Sequence, residues 1–202
     1  MDGIVSRYVN RRLSRPVAAG LARTPVTPNG ATWFTLAFSL GVGAVVGLGW
    51  QVAGGIGIQL ASIIDGVDGD LARLTGRTSR FGAALDAIAD RYADAAILGG
   101  MTVYAARFEG EEYAAVVGAL ALAGALTVSY SRARAEAEGL WGVVGGRWGV
   151  VGGLGMLATR DVRLLAAAAG TVAGECFWTL AGLAAVSGVT VAVRLVVGRF
   201  AR

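Results

Sequence analysis

The chain has 202 residues, 55% hydrophobic and 16% charged, with a mean hydropathy of +0.61. Soluble domains carry about 25% charged residues, so this is the composition of a membrane protein. The net charge of +4 comes from 18 arginines against 14 acids, without lysine or histidine, which excludes Schiff-base lysine chemistry and histidine catalysis or ligation. The single cysteine, Cys176, excludes an intrachain disulfide and a cysteine-built metal centre. Proton transfer must rest on carboxylates, tyrosine or water. A pI near 9.8 does not point to nucleic acid, because the arginines gather at the ends of apolar stretches and not along one polar face.

Residues 1–23 hold five arginines and no long apolar run, unlike a secretory leader. Residues 4–22 interleave apolar and basic side chains and predict an amphipathic helix lying on the membrane, interrupted near Pro16. TPVTPN at 24–29 predicts a turn, with Asn29 as the N-cap of the helix that follows. Six apolar spans come next, at 30–50, 52–74, 80–106, 112–134, 161–176 and 177–198. The fifth is short against the roughly 20 residues a span needs, so the last two could divide differently, around Glu175. The glycine-rich stretch 140–160, which carries Arg147, reads as an interfacial connection. A re-entrant or seventh span is the competing reading. It lacks the GK[ST] ending of a phosphate loop.

The expected fold class is therefore an all-α integral membrane protein. It has six transmembrane helices preceded by an N-terminal amphipathic juxtamembrane helix. Residues 1–202 form one domain, with 1–23 the amphipathic helix and 30–198 the six-helix bundle. With both termini inside, Arg107 alone of the 18 arginines falls outside, in the acidic loop 106–112. That positive-inside pattern predicts a multi-pass protein of the plasma membrane. A seventh span would reverse Arg194, Arg199 and Arg202.

Residues 65–90 read DGVDGDLARLTGRTSRFGAALDAIAD. On a helix Asp65 and Asp68 (i, i+3) share a face, as do Asp86 and Asp90 (i, i+4). Two helices each offering a carboxylate pair make an all-oxygen site for hard divalent cations. Carboxylates at membrane depth are costly and normally mark function. The plain alternative is a set of helix caps or ion pairs with Arg73, Arg77, Arg80 and Arg91. Asp70 points away from the Asp65–Asp68 face and is expected to be solvated or interfacial. Asp94 continues the Asp86–Asp90 stripe by one turn, either touching the substrate or pairing with an arginine.

Written as a pattern, the stretch is D-x2-D-G-x2-A-R-x8-G-x3-D-x3-D, over Asp65, Asp68, Gly69, Ala72, Arg73, Gly82, Asp86 and Asp90. It resembles the complete motif of the CDP-alcohol phosphotransferase family, and the six-span layout extends the resemblance over nearly the whole chain. The resemblance implies transfer of a phosphoryl-alcohol group from a CDP-alcohol donor to an alcohol acceptor, with release of CMP. It implies two divalent cations, Mg²⁺ or Mn²⁺, on Asp65, Asp68 and Asp86, with Asp90 completing the second site and acting as general base. Gly69 and Ala72 would leave room for the nucleotide, Arg73 would offer its planar fork to phosphate or cytosine, and Gly82 would allow close packing. Pro28 and Asn29 match a PN element placed against the cytidine, and Ser79 matches a hydroxyl near the nucleotide.

Arg132 and Arg134 resemble basic residues that phosphatidylinositol-phosphate synthases use for inositol phosphate. Arg160, Arg163 and Arg194 would converge on the same cytoplasmic mouth, which implies a phosphorylated acceptor. Ordinary positive-inside anchoring is the plain alternative. Two branches of the family share that acceptor: one takes CDP-diacylglycerol, and the other takes CDP-inositol to make di-myo-inositol phosphate phosphate. VSRYVNRRLSRPVAAGLARTPVTPN and DRYADAAILGG look more like the second. That branch often sits behind a cytidylyltransferase half, so the chain is expected to be a standalone version or an excised domain, with a cytidylyltransferase as possible partner. A homodimer is expected by analogy. An ion-coupled transporter would call for inverted repeats or paired broken helices, and the sequence displays neither.

Overall fold

The computed structural model describes residues 5–139, 153 and 155–199, and among these every regular element is helical. A π-helical turn, Ser6–Asn10, runs directly into α1, Arg11–Leu21. Then come α2 (Pro28–Gly47), α3 (Gln51–Leu74) and α4 (Arg80–Tyr104), the last continued by a π turn, Ala105–Glu109. The remaining helices are α5 (Ala114–Ala137), α6 (Arg160–Ala173) and α7 (Cys176–Arg199). Each stretch expected to be a span holds one of α2 to α7. By length and composition α2, α5 and α7 are apolar enough to cross a membrane. Helices α3 and α4 are as long but carry the motif acids. Helix α6 has only 14 residues, about 21 Å at 1.5 Å per residue. The division from α7 falls at Gly174, whose φ of +75° is the left-handed conformation glycine adopts without strain. The reading of the glycine-rich stretch, with Arg147, falls largely on 140–152 and 154, outside the described residues.

Two local expectations change. The N-terminal helix continues through Pro16. Proline removes one N–H from the ladder, but α1 is packed along α3, which holds it across that position. The N-cap of α2 is Thr27 and not Asn29: the Thr27 hydroxyl accepts the Gly30 N–H at 3.1 Å, with Pro28 at N1, where its missing N–H is harmless.

Helix α1 seats its polar stripe, not its apolar one, on the bundle. Asn10, Ser14 and Ala18, one turn apart, are buried, whereas Tyr8, Val9, Leu13 and Val17 are exposed. The Asn10 amide donates to the Ser62 carbonyl at 3.2 Å and to its hydroxyl at 2.9 Å. The bundle packs α2 against α3 and α4, α5 against α7 and α4, and α3 against α6. Val46, Ile58, Ile97, Met101 and Leu180 fill its centre. Glycine allows α2 and α4 to touch backbone to backbone, since a Cβ on Gly100 would run into the Gly43 carbonyl and one on Gly43 into that of Ala96.

The alternation of helices brings the starts of α2, α4 and α6 and the ends of α3, α5 and α7 to one end of the bundle, where the acids lie. At the opposite end Glu109 caps α7, accepting the Cys176 N–H at 2.6 Å and the Phe177 N–H at 2.8 Å. A carboxylate on two orphan N–H groups of a helix start contributes about 1–2 kcal/mol. Glu109→Ala should therefore lower the thermal midpoint in detergent while leaving turnover at permissive temperature within twofold. An unchanged midpoint would show the cap to be dispensable.

Candidate active site

Asp65 and Asp68 stand near the end of α3, and Asp86 and Asp90 in the first three turns of α4. Ser79 caps α4, its hydroxyl accepting the Gly82 N–H at 2.9 Å, and so sets where the acids of that helix point. Asp65, Asp86 and Asp90 each present an oxygen, and the three oxygens lie within 4.8 Å of one another. Ligands around a hard divalent cation sit about 2.0–2.6 Å from it, so oxygens so spaced can share one ion, and the all-carboxylate set suits Mg²⁺ or Mn²⁺.

Asp68 lines the same cavity with Thr32, Thr35, Leu36, Ala89 and Ala93. It accepts hydrogen bonds from the Thr32 hydroxyl and, at 2.6 Å, from the Gly69 N–H. Thr32 and Thr35 are site residues that sequence reasoning missed. The signal was available: each follows Pro28 by whole turns (i+4, i+7), which puts it on one face of α2.

An arginine chain runs from this cluster. Arg160 lies 2.5 Å from Asp65, 2.9 Å from Asp90 and 2.9 Å from Asp94. Arg163 holds the other Asp94 oxygen at 3.0 Å and donates to the Ala158 carbonyl at 2.9 Å. Asp94 is thus an arginine partner, one of the two roles open to it. Arg160, expected among the acceptor arginines, sits on the acids themselves. Arg194 is buried, donating to the Val128 carbonyl at 2.8 Å and the Ser131 hydroxyl at 2.9 Å. The positive charges of Arg132 and Arg163 both act on it. Arg134 is not brought to this group. Two residues beyond Arg132 on α5 is about 200° around the helix, and its exposed side chain pairs with Glu138 at 2.8 Å. Arg132 pairs with Glu136 at 3.0 Å.

The remaining motif residues lie at the start of α2, the end of α3 and the start of α4. A Cβ on Gly82 would stand 3.2 Å from the Asn29 side-chain oxygen, so the starts of α2 and α4 meet there. Ala72 is half-buried on the last turns of α3. A Cβ on Gly69 would meet both terminal nitrogens of Arg73 at 3.4 Å, so that guanidinium lies back over the glycine. Asp70 corrects an expectation. It is buried, not solvated, and binds Arg73 at 2.7 Å and the Ser14 hydroxyl at 3.2 Å. Docking of α1 covers the face that looked open to water.

The family model for CDP-alcohol phosphatidyltransferase matches residues 25–193. The chain belongs to the CDP-alcohol phosphatidyltransferase family. Among its relatives is a protein of Rubrobacter xylanophilus described as a bifunctional IPC transferase and DIPP synthase. It is 42% identical over 174 residues, which are 86% of this chain and 37% of that protein. A protein of the same description from Thermococcus kodakarensis is 45% identical over 66% of this chain and 30% of its own length. A phosphatidylinositol phosphate synthase of Mycobacteroides abscessus is 36% identical over 69% of this chain and 64% of its own. The chain thus spans about a third of the bifunctional relatives. In fold it is similar to the Mycobacterium tuberculosis phosphatidylinositol phosphate synthase with CDP-DAG bound. The TM-score is 0.76 at 26% identity, covering 93% of this chain and 94% of that one. A second structure of that synthase, in complex with manganese and citrate, gives 0.75 at 26% identity over 92% and 88%.

Proposed function

We propose that the chain is a metal-dependent membrane transferase that moves a phosphoryl-alcohol group from a CDP-alcohol to a phosphorylated inositol and releases CMP. The observation that carries this is the cluster itself: three carboxylates from two helices within 4.8 Å, continuous through Arg160 with a second, cationic group of side chains. Asp65, Asp68 and Asp86 would hold two divalent cations, with Asp90 completing the second site beside Asp65 and Asp86. When bound, the cations supply charge neutralisation for the donor diphosphate and for the CMP that leaves. Thr32 and the Gly69 N–H hold Asp68 in orientation. Asp90 takes the proton of the acceptor hydroxyl on a carboxylate oxygen as that hydroxyl oxygen bonds to the donor's β-phosphorus. The bond from that phosphorus to the oxygen of CMP breaks. Gly69, Ala72, Pro28, Asn29, Ser79 and Gly82 shape the cytidine side, and Arg73 gives its fork to the donor. Arg132, Arg163 and Arg194 receive the acceptor phosphate, with Arg160 between the two groups.

CDP-inositol is the donor we favour, giving di-myo-inositol phosphate phosphate, on the identities of 42% and 45% with the bifunctional relatives. CDP-diacylglycerol is the second reading, favoured by the likeness in fold to a synthase holding CDP-DAG. Purified protein with Mg²⁺ or Mn²⁺, inositol 1-phosphate and each donor in turn decides by the product formed. If neither donor releases CMP, the transferase reading fails.

All six helices α2 to α7 are proposed to cross the plasma membrane within one domain, with the carboxylates at the cytoplasmic face. The arginine distribution supports this. In a Cys176→Ser background, Gly110→Cys should be labelled by an impermeant thiol reagent from outside. Glu138→Cys should be labelled only after the membrane is opened. The opposite pattern would put the carboxylates on the side that CDP substrates do not reach.

A further inference from the structure

Asp70 is the buried acid near the nucleotide side that neither the motif nor the proposed chemistry uses. It is 6% exposed. One oxygen takes the Arg73 guanidinium at 2.7 Å and lies 4.0 Å from Arg11, and the other accepts the Ser14 hydroxyl at 3.2 Å. Ser14 and Arg11 belong to α1, so the carboxylate is fixed from a second helix. Arg73 itself is 57% exposed at the side chain. A pair between two exposed groups would do little to fix a long, rotamer-rich stem. Anchored at one end to a buried and immobilised acid, the fork is instead laid over Gly69, where an added Cβ would meet both its terminal nitrogens at 3.4 Å. That is the glycine whose N–H binds Asp68.

We propose that Asp70 is a positioning residue for Arg73: held by Ser14 of the surface helix, it sets the guanidinium over Gly69 in the orientation that receives the CDP-alcohol donor. This rests on the placement of Arg73 at the donor. Fixing the fork beforehand lowers the ordering cost of binding, so the effect belongs to the donor and not to the acceptor. The same contact makes the docking of α1 part of the donor site.

A double-mutant cycle tests this, with KM for donor and for acceptor measured on Asp70→Asn, Arg73→Gln and the double variant. Asp70→Asn should raise the donor KM about tenfold, with acceptor KM and kcat within twofold. In the Arg73→Gln background the same change should have no further effect on donor KM. An equal rise in both KM values, or a full further rise in that background, overturns the proposal and leaves Asp70 as a docking contact for α1. If Arg73→Gln alone leaves donor KM unchanged, the placement of Arg73 fails and the proposal with it. Should Asp70→Asn not fold, Ser14→Ala loosens the carboxylate while keeping its charge. A smaller rise in donor KM, abolished by Arg73→Gln, supports the proposal, and no rise overturns it.

Discussion

Asp90→Asn should lower CMP release by about 10²–10⁴-fold, the range for removal of a general base, while CDP binding by the folded protein stays within a few-fold of normal. Asp86→Asn should behave differently. Asp86 shares its oxygen set with Asp65 and Asp90, so its loss should reduce both turnover and Mn²⁺ affinity. Changing groups that only support a metal ligand costs about 10–100-fold in metal affinity, and loss of a ligand should cost at least as much. The measurements are CMP release at saturating Mg²⁺ and Mn²⁺ binding by paramagnetic resonance. The contrast between the two variants is the informative part. If Asp90→Asn abolishes CDP binding outright, Asp90 serves the metal and not the proton. Near-normal turnover in Asp86→Asn would end the two-cation reading.

The carboxylate pairs were legible in the sequence because helical spacing puts Asp65 with Asp68 on one face and Asp86 with Asp90 on another; the packing of α3 and α4 on α2 is what brings Asp65, Asp86 and Asp90 together. The apolar runs likewise marked where α2 to α7 fall. What pairs with what across helices was not legible. Asp70 seemed solvated because nothing in α3, where Arg73 pairs with it, shows that this face is covered. The cover comes from α1, whose alternation of basic and apolar residues gave no sign that Asn10, Ser14 and Ala18 would form the buried stripe. The continuity of α1 through Pro16 was hidden for the same reason, since support from α3 is a tertiary effect. Arg132 and Arg134 looked equivalent because α5 is apolar around most of its circumference, leaving no polar face from which to choose between them. Arg160 was placed with the acceptor arginines on charge alone. A buried acid, Asp94, and the cluster acids hold it, and neither contact has a signature along the chain.

Arg194→Ala should raise the KM for inositol 1-phosphate about tenfold to a hundredfold, the equivalent of the roughly 1.5–3 kcal/mol of a charge-assisted contact, with the donor KM within twofold. The side chain is buried near the end of α7 and tied to Val128 and Ser131 of α5. Alanine therefore also leaves those two acceptors without it, and a lower thermal midpoint is expected alongside. Arg194→Gln separates the effects: it can keep a hydrogen bond to α5 but carries no charge, so acceptor KM should rise nearly as much while the midpoint recovers. Arg134→Ala is the contrast on α5. Its side chain is exposed and paired with Glu138, and its removal should change acceptor KM by less than twofold. Arg163→Ala should match Arg194→Ala in the direction of its effect on acceptor KM, with a larger loss of stability because Asp94 keeps only Arg160. If Arg194→Ala weakens the donor instead, the arginines of α6 and α7 belong to the diphosphate, and the acceptor need not be phosphorylated. If Arg134→Ala is as damaging as Arg194→Ala, the acceptor approaches along the outer face of α5, and the group around Arg194 holds the bundle together without reading substrate.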